Sequence, residues 1–337
     1  MARRWGLTAI AVAAGLALLV WQIQRTGADN IARGLMAVGW WGAAGILLLS
    51  LLRFAARSTG WSALIPVDVP VGHALAAMLA GEAVGSLTPL SYAVSEPTKA
   101  AYLGRSIGSV GMRGALAALA AETFMFGVSV GIYVMAGAAV LLYAYPVERD
   151  LRLAGIATLG LTTAGLAVAG FMAWRKPKVL TAVLERVAGQ SSLVEHVRSF
   201  EQLAYGATGH PGSRLGVVVM AATLFHALSF LELWLTLWLI TGESHAAAAF
   251  ILDTVGRLTN VLFKMIPLQL GVLQIGSELV ARAIGLAPGV GVTVSLVRTV
   301  RVLGWSVVGL VLLVTKAKVR SQKAEVKSKG ESKWESK

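Results

Sequence analysis

Cysteine is absent from the 337-residue chain, which excludes disulfides, thiolate nucleophiles and cysteine-ligated metals. Histidine is scarce and scattered: His73, His196, His210, His226 and His245 include no pair three or four residues apart. No metal site is expected, because helical ligand pairs use that spacing. No phosphate loop, nucleophile elbow or dinucleotide fingerprint occurs. No catalytic residue and no cofactor are therefore expected, and the chain is read as a non-enzyme. Any coupled process would draw on an ion gradient or run downhill. Charge is also sparse, at 14% of residues against about 25% in soluble domains.

What the chain has is apolar length. Hydrophobic residues make up 56% of it and the mean hydropathy is +0.71, which places it in the membrane class. The net charge of +13 fits cytoplasmic loops rich in Lys and Arg and contact with anionic lipid headgroups. No soluble basic stretch is long enough to read a duplex, so nucleic acid is not an expected partner. The ten tryptophans fit interfacial anchoring, as with Trp40 and Trp41.

The pattern predicts an all-α polytopic membrane protein with about six transmembrane helices and two re-entrant helical hairpins. Spans are expected over residues 5–23, 35–54, 114–143, 153–174, 215–240 and 290–314. The second is read as ending at Arg53, Arg57 and Trp61. Residues 71–104 carry an apolar run too short to cross the roughly 30 Å hydrocarbon core. That run passes into Gly, Ser, Thr and Pro, with its backbone ladder broken at Pro89 and Pro97 and a helix restarting after Pro97. Non-helical backbone at membrane depth is tolerated where it packs in protein or lines a wet cavity. Residues 246–285 form a second irregular stretch, broken at Pro267. An amphipathic cytoplasmic segment is expected over 175–214, and residues 316–337 read as a basic disordered tail after a 1–315 membrane domain.

With Arg3 and Arg4 cytoplasmic, the positive-inside rule puts Arg105, Arg113, the 175–214 segment and both termini on the same side. This holds if 71–104 returns to the side it starts from. For 246–285, one hairpin and two complete spans satisfy the charge bias equally. The order span, hairpin, span occurs twice, over 35–143 and 215–314, with opposite orientation. Inverted repeats with broken elements near the midplane are a transporter architecture.

Charges at bilayer depth cost about 2.5–3.5 kcal/mol on insertion scales, so they face partners or water. Asp253 with Arg257 and Glu278 with Arg282 each lie one helical turn apart, as local salt bridges or as cavity-facing charges. Arg298 and Arg301 share one face of the last span with no acid nearby in sequence. They are read as a cationic site for an anionic headgroup, since guanidinium forks match phosphate oxygens, or as snorkelling side chains. Glu96 and Lys99, one turn apart, are capping residues or part of the site. Glu122 and Glu232 are lone acids in long spans, suited to proton coupling or to interhelical hydrogen bonding. The candidate substrate-binding set is therefore Glu96, Lys99, Arg257, Glu278, Arg298 and Arg301.

At the two broken segments the chain resembles the membrane region of lysylphosphatidylglycerol synthases, a flippase-like group that includes stand-alone members. In the first half the resemblance lies in Pro89, then Ser95-Glu96-Pro97-Thr98-Lys99 running to Tyr102-Leu103, with Glu122 in the following helix. In the second it lies in Pro267-Leu268, Gly271, Gly276-Ser277-Glu278, Ile284-Gly285 and Arg298. Ser95 and Leu268 stand where the family pattern has Gly. The resemblance implies a lipid flippase or lipid transporter of a bacterial inner (plasma) membrane. The implied partner is an anionic or zwitterionic phospholipid, aminoacylated phospholipid or other lipid. The synthases' soluble aminoacyl-transferase domain has no counterpart here, so lysine transfer from tRNA is not expected. Two other functions fit the same features: a non-catalytic membrane partner of a lipid-biosynthetic enzyme, and an ion-coupled transporter of a small solute. Oligomeric state is not legible in the residues.

Overall fold

A computed structural model describes residues 28–88, 91–108, 110–175, 212–263 and 266–335, together with isolated positions 24, 182 and 186. The expected first span at 5–23, the Arg3-Arg4 anchor, Pro89, and nearly all of the 175–214 segment lie outside the described residues. The described residues form nine α-helices: α1 Ala28–Ala63, α2 Val71–Leu87, α3 Ser91–Ser106, α4 Gly111–Ala144 and α5 Arg149–Arg175, then α6 Gly212–Thr241, α7 Ala246–Leu262, α8 Val272–Ala283 and α9 Val290–Glu335. Among the described residues, five segments have the length and apolarity to cross a bilayer: Ala32–Ala63, Gly111–Ala144, Arg149–Arg175, Arg214–Thr241 and Val290–Lys316. The molecule is a polytopic helical membrane protein.

Three details depart from the sequence reading. First, α1 continues past Arg53 and Arg57 to Ala63, and Trp61 is fully buried. These three residues therefore sit inside a helix, not at its interfacial end. The kink in α1 is at Gly39, whose φ of 59° lies in a region other residues rarely adopt. Trp40 and Trp41, just beyond it, are 88% and 90% exposed, as an aromatic belt requires. Second, the restart of the first broken segment is at Ser91, and Pro97 lies inside α3. Pro97 removes one backbone donor without ending the helix. Third, α9 extends to Glu335 as helix, through the basic stretch whose composition predicted disorder.

The breaks themselves follow local chemistry. Thr88 is extended, at φ −116° and ψ 144°, the conformation a following proline imposes. In the second half a short 3₁₀ turn, Pro267–Gln269, separates α7 from α8. Leu268 and Gln269 both hold positive φ there, at 54° and 51°, before Gly271 opens α8.

The packing is reciprocal. The spans that open the two halves, α1 and α6, form the most extensive helix–helix contact. The first arm of each broken segment packs on the last span of the other half: α2 on α9, and α7 on α4. Glycine allows the closest of these approaches. A Cβ at Gly309 would meet the backbone of Leu79 in α2, and one at Gly137 would meet Thr254 in α7. Two cores flank the exchange. One surrounds Trp61, Met78, Leu103 and Leu119, and the other surrounds Leu237, Ile251, Leu252 and Val294. In the first, Trp61 donates its indole N–H to the Ala115 carbonyl at 3.2 Å. Helix α5 packs mainly on α4 and leaves most of its surface outward.

Candidate functional site

The exchange of arms brings charged side chains from seven helices together in the bundle. Arg57 of α1 forms a bidentate pair with Glu122 of α4, at 3.0 and 3.1 Å. Its guanidinium also lies over Phe126, 4.3 Å from the ring centre. In the other half Arg301 of α9 directs Nη1 to both oxygens of Glu232 in α6, at 2.5 and 2.7 Å. The same kind of tie therefore joins the first and last spans of each half, with its polarity reversed between halves.

Arg53 of α1 crosses between halves. It lies 3.4 Å from Glu232 and donates to Ser229 Oγ at 3.0 Å. Ser229 in turn donates to Asp253 Oδ1 at 3.1 Å. Asp253 is held by Arg257 one turn along α7, at 2.9 Å, and by Arg298 of α9 at 3.5 Å. A Cβ at Gly256 would overlap the Arg298 guanidinium, so this glycine gives Arg298 its seat on α7. Arg257 is further stacked on Tyr133, 4.2 Å from the ring centre.

Lys99 links the two arms of the first broken segment. Its ammonium is fully buried and contacts Glu82 of α2 at 2.8 Å and Glu96 of α3 at 2.9 Å. The stem of Lys99 lies where a Cβ on Gly81 would be. A charge this deep is retained when it is paired.

These groups surround a chamber of about 430 Å³, lined by Arg53, Arg57, Arg257, Arg298 and Arg301, with Glu82, Ser229, Ser306 and Trp305 among the other walls. A smaller space of about 150 Å³ shares Arg298, Arg301 and Glu82 and reaches Asn260, Leu268 and Gln269 at the second break. The acids stand behind the guanidinium groups. Asp253, Glu122 and Glu232 side chains are 1%, 4% and 5% exposed, while Arg298 and Arg57 reach 17% and 13%. The chamber surface is thus cationic although most of the countercharge is nearby. Beyond a wall that includes Phe126, Tyr133, Phe225 and His226 lies an apolar groove of about 810 Å³ between α4, α5 and α6.

Of the residues singled out from sequence, Arg257, Arg298 and Arg301 line the chamber together, and Lys99 and Glu96 stand behind Glu82. Glu278 does not join them. Its carboxylate accepts from the Gly289 and Val292 backbone N–H groups at 2.9 and 3.3 Å and pairs with Arg282 at 2.6 Å. It thereby caps the start of α9, where free N–H groups and the helix dipole favour an anion. A Cβ on Gly291 would overlap the α8 backbone at Glu278, which shows how closely that corner is packed. Glu122 and Glu232 are not lone acids, since each is paired across helices. Pro267 opens the 3₁₀ turn beside the smaller space.

Sequence reasoning missed Arg53, Arg57, Ser229 and Trp305. The available signal was the spacing of Arg53 and Arg57: one turn apart, with apolar residues continuing through Leu64 and Ile65. That pattern describes an inward face of a long helix better than a terminus.

Fold and site define a polytopic membrane protein of two intertwined halves around a buried, guanidinium-lined chamber. The chain belongs to the Lysylphosphatidylglycerol synthase TM region family, whose sequence profile matches residues 7–313. The match covers both halves and relates the protein to lipid handling. Comparison with curated proteins and with solved structures found no match.

Proposed function

We propose that this protein is a lipid transporter of the flippase type. It takes the phosphate-bearing headgroup of a membrane lipid into the chamber and moves it across the bilayer. The observation that carries this reading is the cationic lining of a chamber enclosed by membrane-spanning helices. Such a site attracts an oxyanion that hydrocarbon excludes, and guanidinium forks fit phosphate oxygens. The apolar groove between α4, α5 and α6 supports accommodation of acyl chains beside it.

Helix lengths support re-entry of both broken segments. At 1.5 Å per residue, α2 and α3 with 17 and 16 residues reach roughly 25 Å, and α8 with 12 residues roughly 18 Å. Neither segment supplies two arms that cross a core of about 30 Å. Broken elements meeting from two halves around one site suit alternating access. A lipid phosphate entering among Arg53, Arg257, Arg298 and Arg301 competes with Asp253 and Glu232 for the same guanidinium groups. Headgroup binding thereby loosens ties between α1, α6, α7 and α9, which is the differential contact a conformational switch requires. No aminoacyl transfer is assigned to the chain.

The test is a sealed proteoliposome assay with a fluorescent phospholipid. The wild type is expected to equilibrate the label between leaflets, and Arg298→Ala with Arg301→Ala is expected to slow it at least tenfold. Equal rates for protein-free vesicles and wild type, or for wild type and the double variant, refute the proposal.

A further inference from the structure

We infer that Glu82, Lys99 and Glu96 form a proton-binding site linked to the chamber, and that Glu82 takes up a proton as a lipid phosphate enters. This rests on the proposed lipid-binding reading and names the ion coupled to it. Lys99 is fully buried and holds two carboxylates, Glu82 at 2.8 Å and Glu96 at 2.9 Å. The Glu82 side chain is 37% exposed and lines both spaces of the site together with Arg298 and Arg301. Glu96 stands behind it at 17% exposure, and its Oε2 has no hydrogen-bond partner among the described residues. Gly81 leaves room for the Lys99 stem, which fixes the ammonium between the two acids.

Two acids on one lysine allow a carboxylate to be neutralised while the lysine stays paired. A proton from water reaching the exposed Glu82 forms one O–H bond there, and Lys99 keeps Glu96 as its counterion. Other interior acids are bound to guanidinium groups: Glu122 to Arg57, Glu232 to Arg301 with Arg53 beside it, and Asp253 to Arg257 and Arg298. Arginine does not give up its proton, so protonating any of these three acids removes the countercharge of a buried cation, at high cost. His226, of a residue type that titrates near neutral pH, is hydrogen-bonded with Ser129 at 2.9 Å and lines the apolar groove.

The link to the lipid is electrostatic. Around α2 and α3 the charges are Glu82, Glu96 and Glu122 with Arg57 and Lys99. Around α7 and α9 they are Arg53, Arg257, Arg298 and Arg301 with Glu232 and Asp253. The cationic excess therefore lies on the second side, while the acidic excess of the first reaches the same space through Glu82. A phosphate anion beside Arg298 and Arg301 repels the Glu82 carboxylate, and a proton on Glu82 removes that repulsion. Linkage makes the effect reciprocal: the anion favours the proton, and the proton favours the anion. Lipid affinity therefore rises as pH falls, and binding draws a proton from solution.

The experiment measures binding, separately from transport, with the purified full chain in mild detergent micelles and phosphatidylglycerol as the probe. Affinity is measured by titration across the neutral pH range, and proton uptake by a pH indicator in weakly buffered solution. The wild type is expected to bind roughly tenfold tighter at the acid end than at the alkaline end, with proton uptake on lipid addition. Glu82→Gln imitates the protonated carboxyl, so its affinity should match the wild type's acid value at every pH, with no uptake. Glu96→Gln leaves Lys99 dependent on an ionised Glu82, so affinity should stay at the alkaline value and uptake should be lost. Opposite shifts from two neutral substitutions on one lysine differ from what lost packing gives, which weakens binding in both. The control His226→Gln should keep the pH dependence. Lipid binding by the wild type without proton uptake overturns the inference, even where a variant fails to fold. So does pH dependence that survives Glu82→Gln or disappears in His226→Gln. Proton uptake driven by millimolar inorganic sulfate, without lipid binding, keeps the proton site and overturns the lipid reading. Proton-linked lipid binding without leaflet exchange keeps the inference and refutes transport.

Discussion

Neutralising Glu232 tests the energetic argument most directly, because one carboxylate there serves two arginines from different helices. Arg301 donates to both of its oxygens at 2.5 and 2.7 Å, and Arg53 stands 3.4 Å away. At an effective dielectric of about 20, unit charges 3.4 Å apart attract by roughly 5 kcal/mol. Desolvation of a side chain only 5% exposed offsets much of that, so the intact network contributes little net stability over an apolar replacement. Removing only the anion is different, because two buried cations then repel one another without a counterion. Glu232→Gln, which keeps the shape, is expected to cost about 3–5 kcal/mol. Glu232→Met combined with Arg301→Met should recover at least half of that loss, because fewer unpaired charges stay buried. The assay is reversible unfolding of the purified protein in mild detergent, comparing the two variants with wild type. Glu232→Gln within about 0.5 kcal/mol of wild type, or a double variant less stable than the single one, refutes the reasoning.

Other consequences are equally open to measurement. Gly256→Ala places a methyl group against the Arg298 guanidinium, and should displace it and lower headgroup affinity severalfold in the binding assay while costing about 1–3 kcal/mol at most. Gly81→Val drives Lys99 from its seat and approaches the Ser95 carbonyl within 2.9 Å; thermal unfolding should show a loss of at least about 1–3 kcal/mol. Glu278→Ala removes the cap on α9 and should cost about 1–2 kcal/mol. Headgroup affinity per folded molecule should not change. Arg282→Ala, whose side chain is 47% exposed, should fall within about 1 kcal/mol of wild type.

Much of the architecture is legible in the residues because the bilayer restricts the choices so severely. A long apolar run must be helical, since hydrocarbon offers no partner for backbone N–H and C=O groups. Runs that falter at Pro89 and Pro267 stand out as broken segments. The two-fold order of span, broken segment and span is written in that punctuation. So was the site's chemistry in outline: Arg257, Arg298 and Arg301 are too costly at such depth without partners.

What the sequence could not decide was pairing. Arg301 and Glu232 are 69 positions apart, Arg57 and Glu122 65. Helical periodicity reports only neighbours three or four residues away, so Glu122 and Glu232 looked isolated, while Glu278 looked like a site residue beside Arg282. The exchange of arms between halves, α2 onto α9 and α7 onto α4, settled these relations. It turned Arg53 and Arg57 inward from an assumed helix end and gave Glu278 to the start of α9. Composition and local pattern determined that buried charge exists in this protein. Which charges meet depends on distances across the packed bundle, and only the tertiary structure sets those.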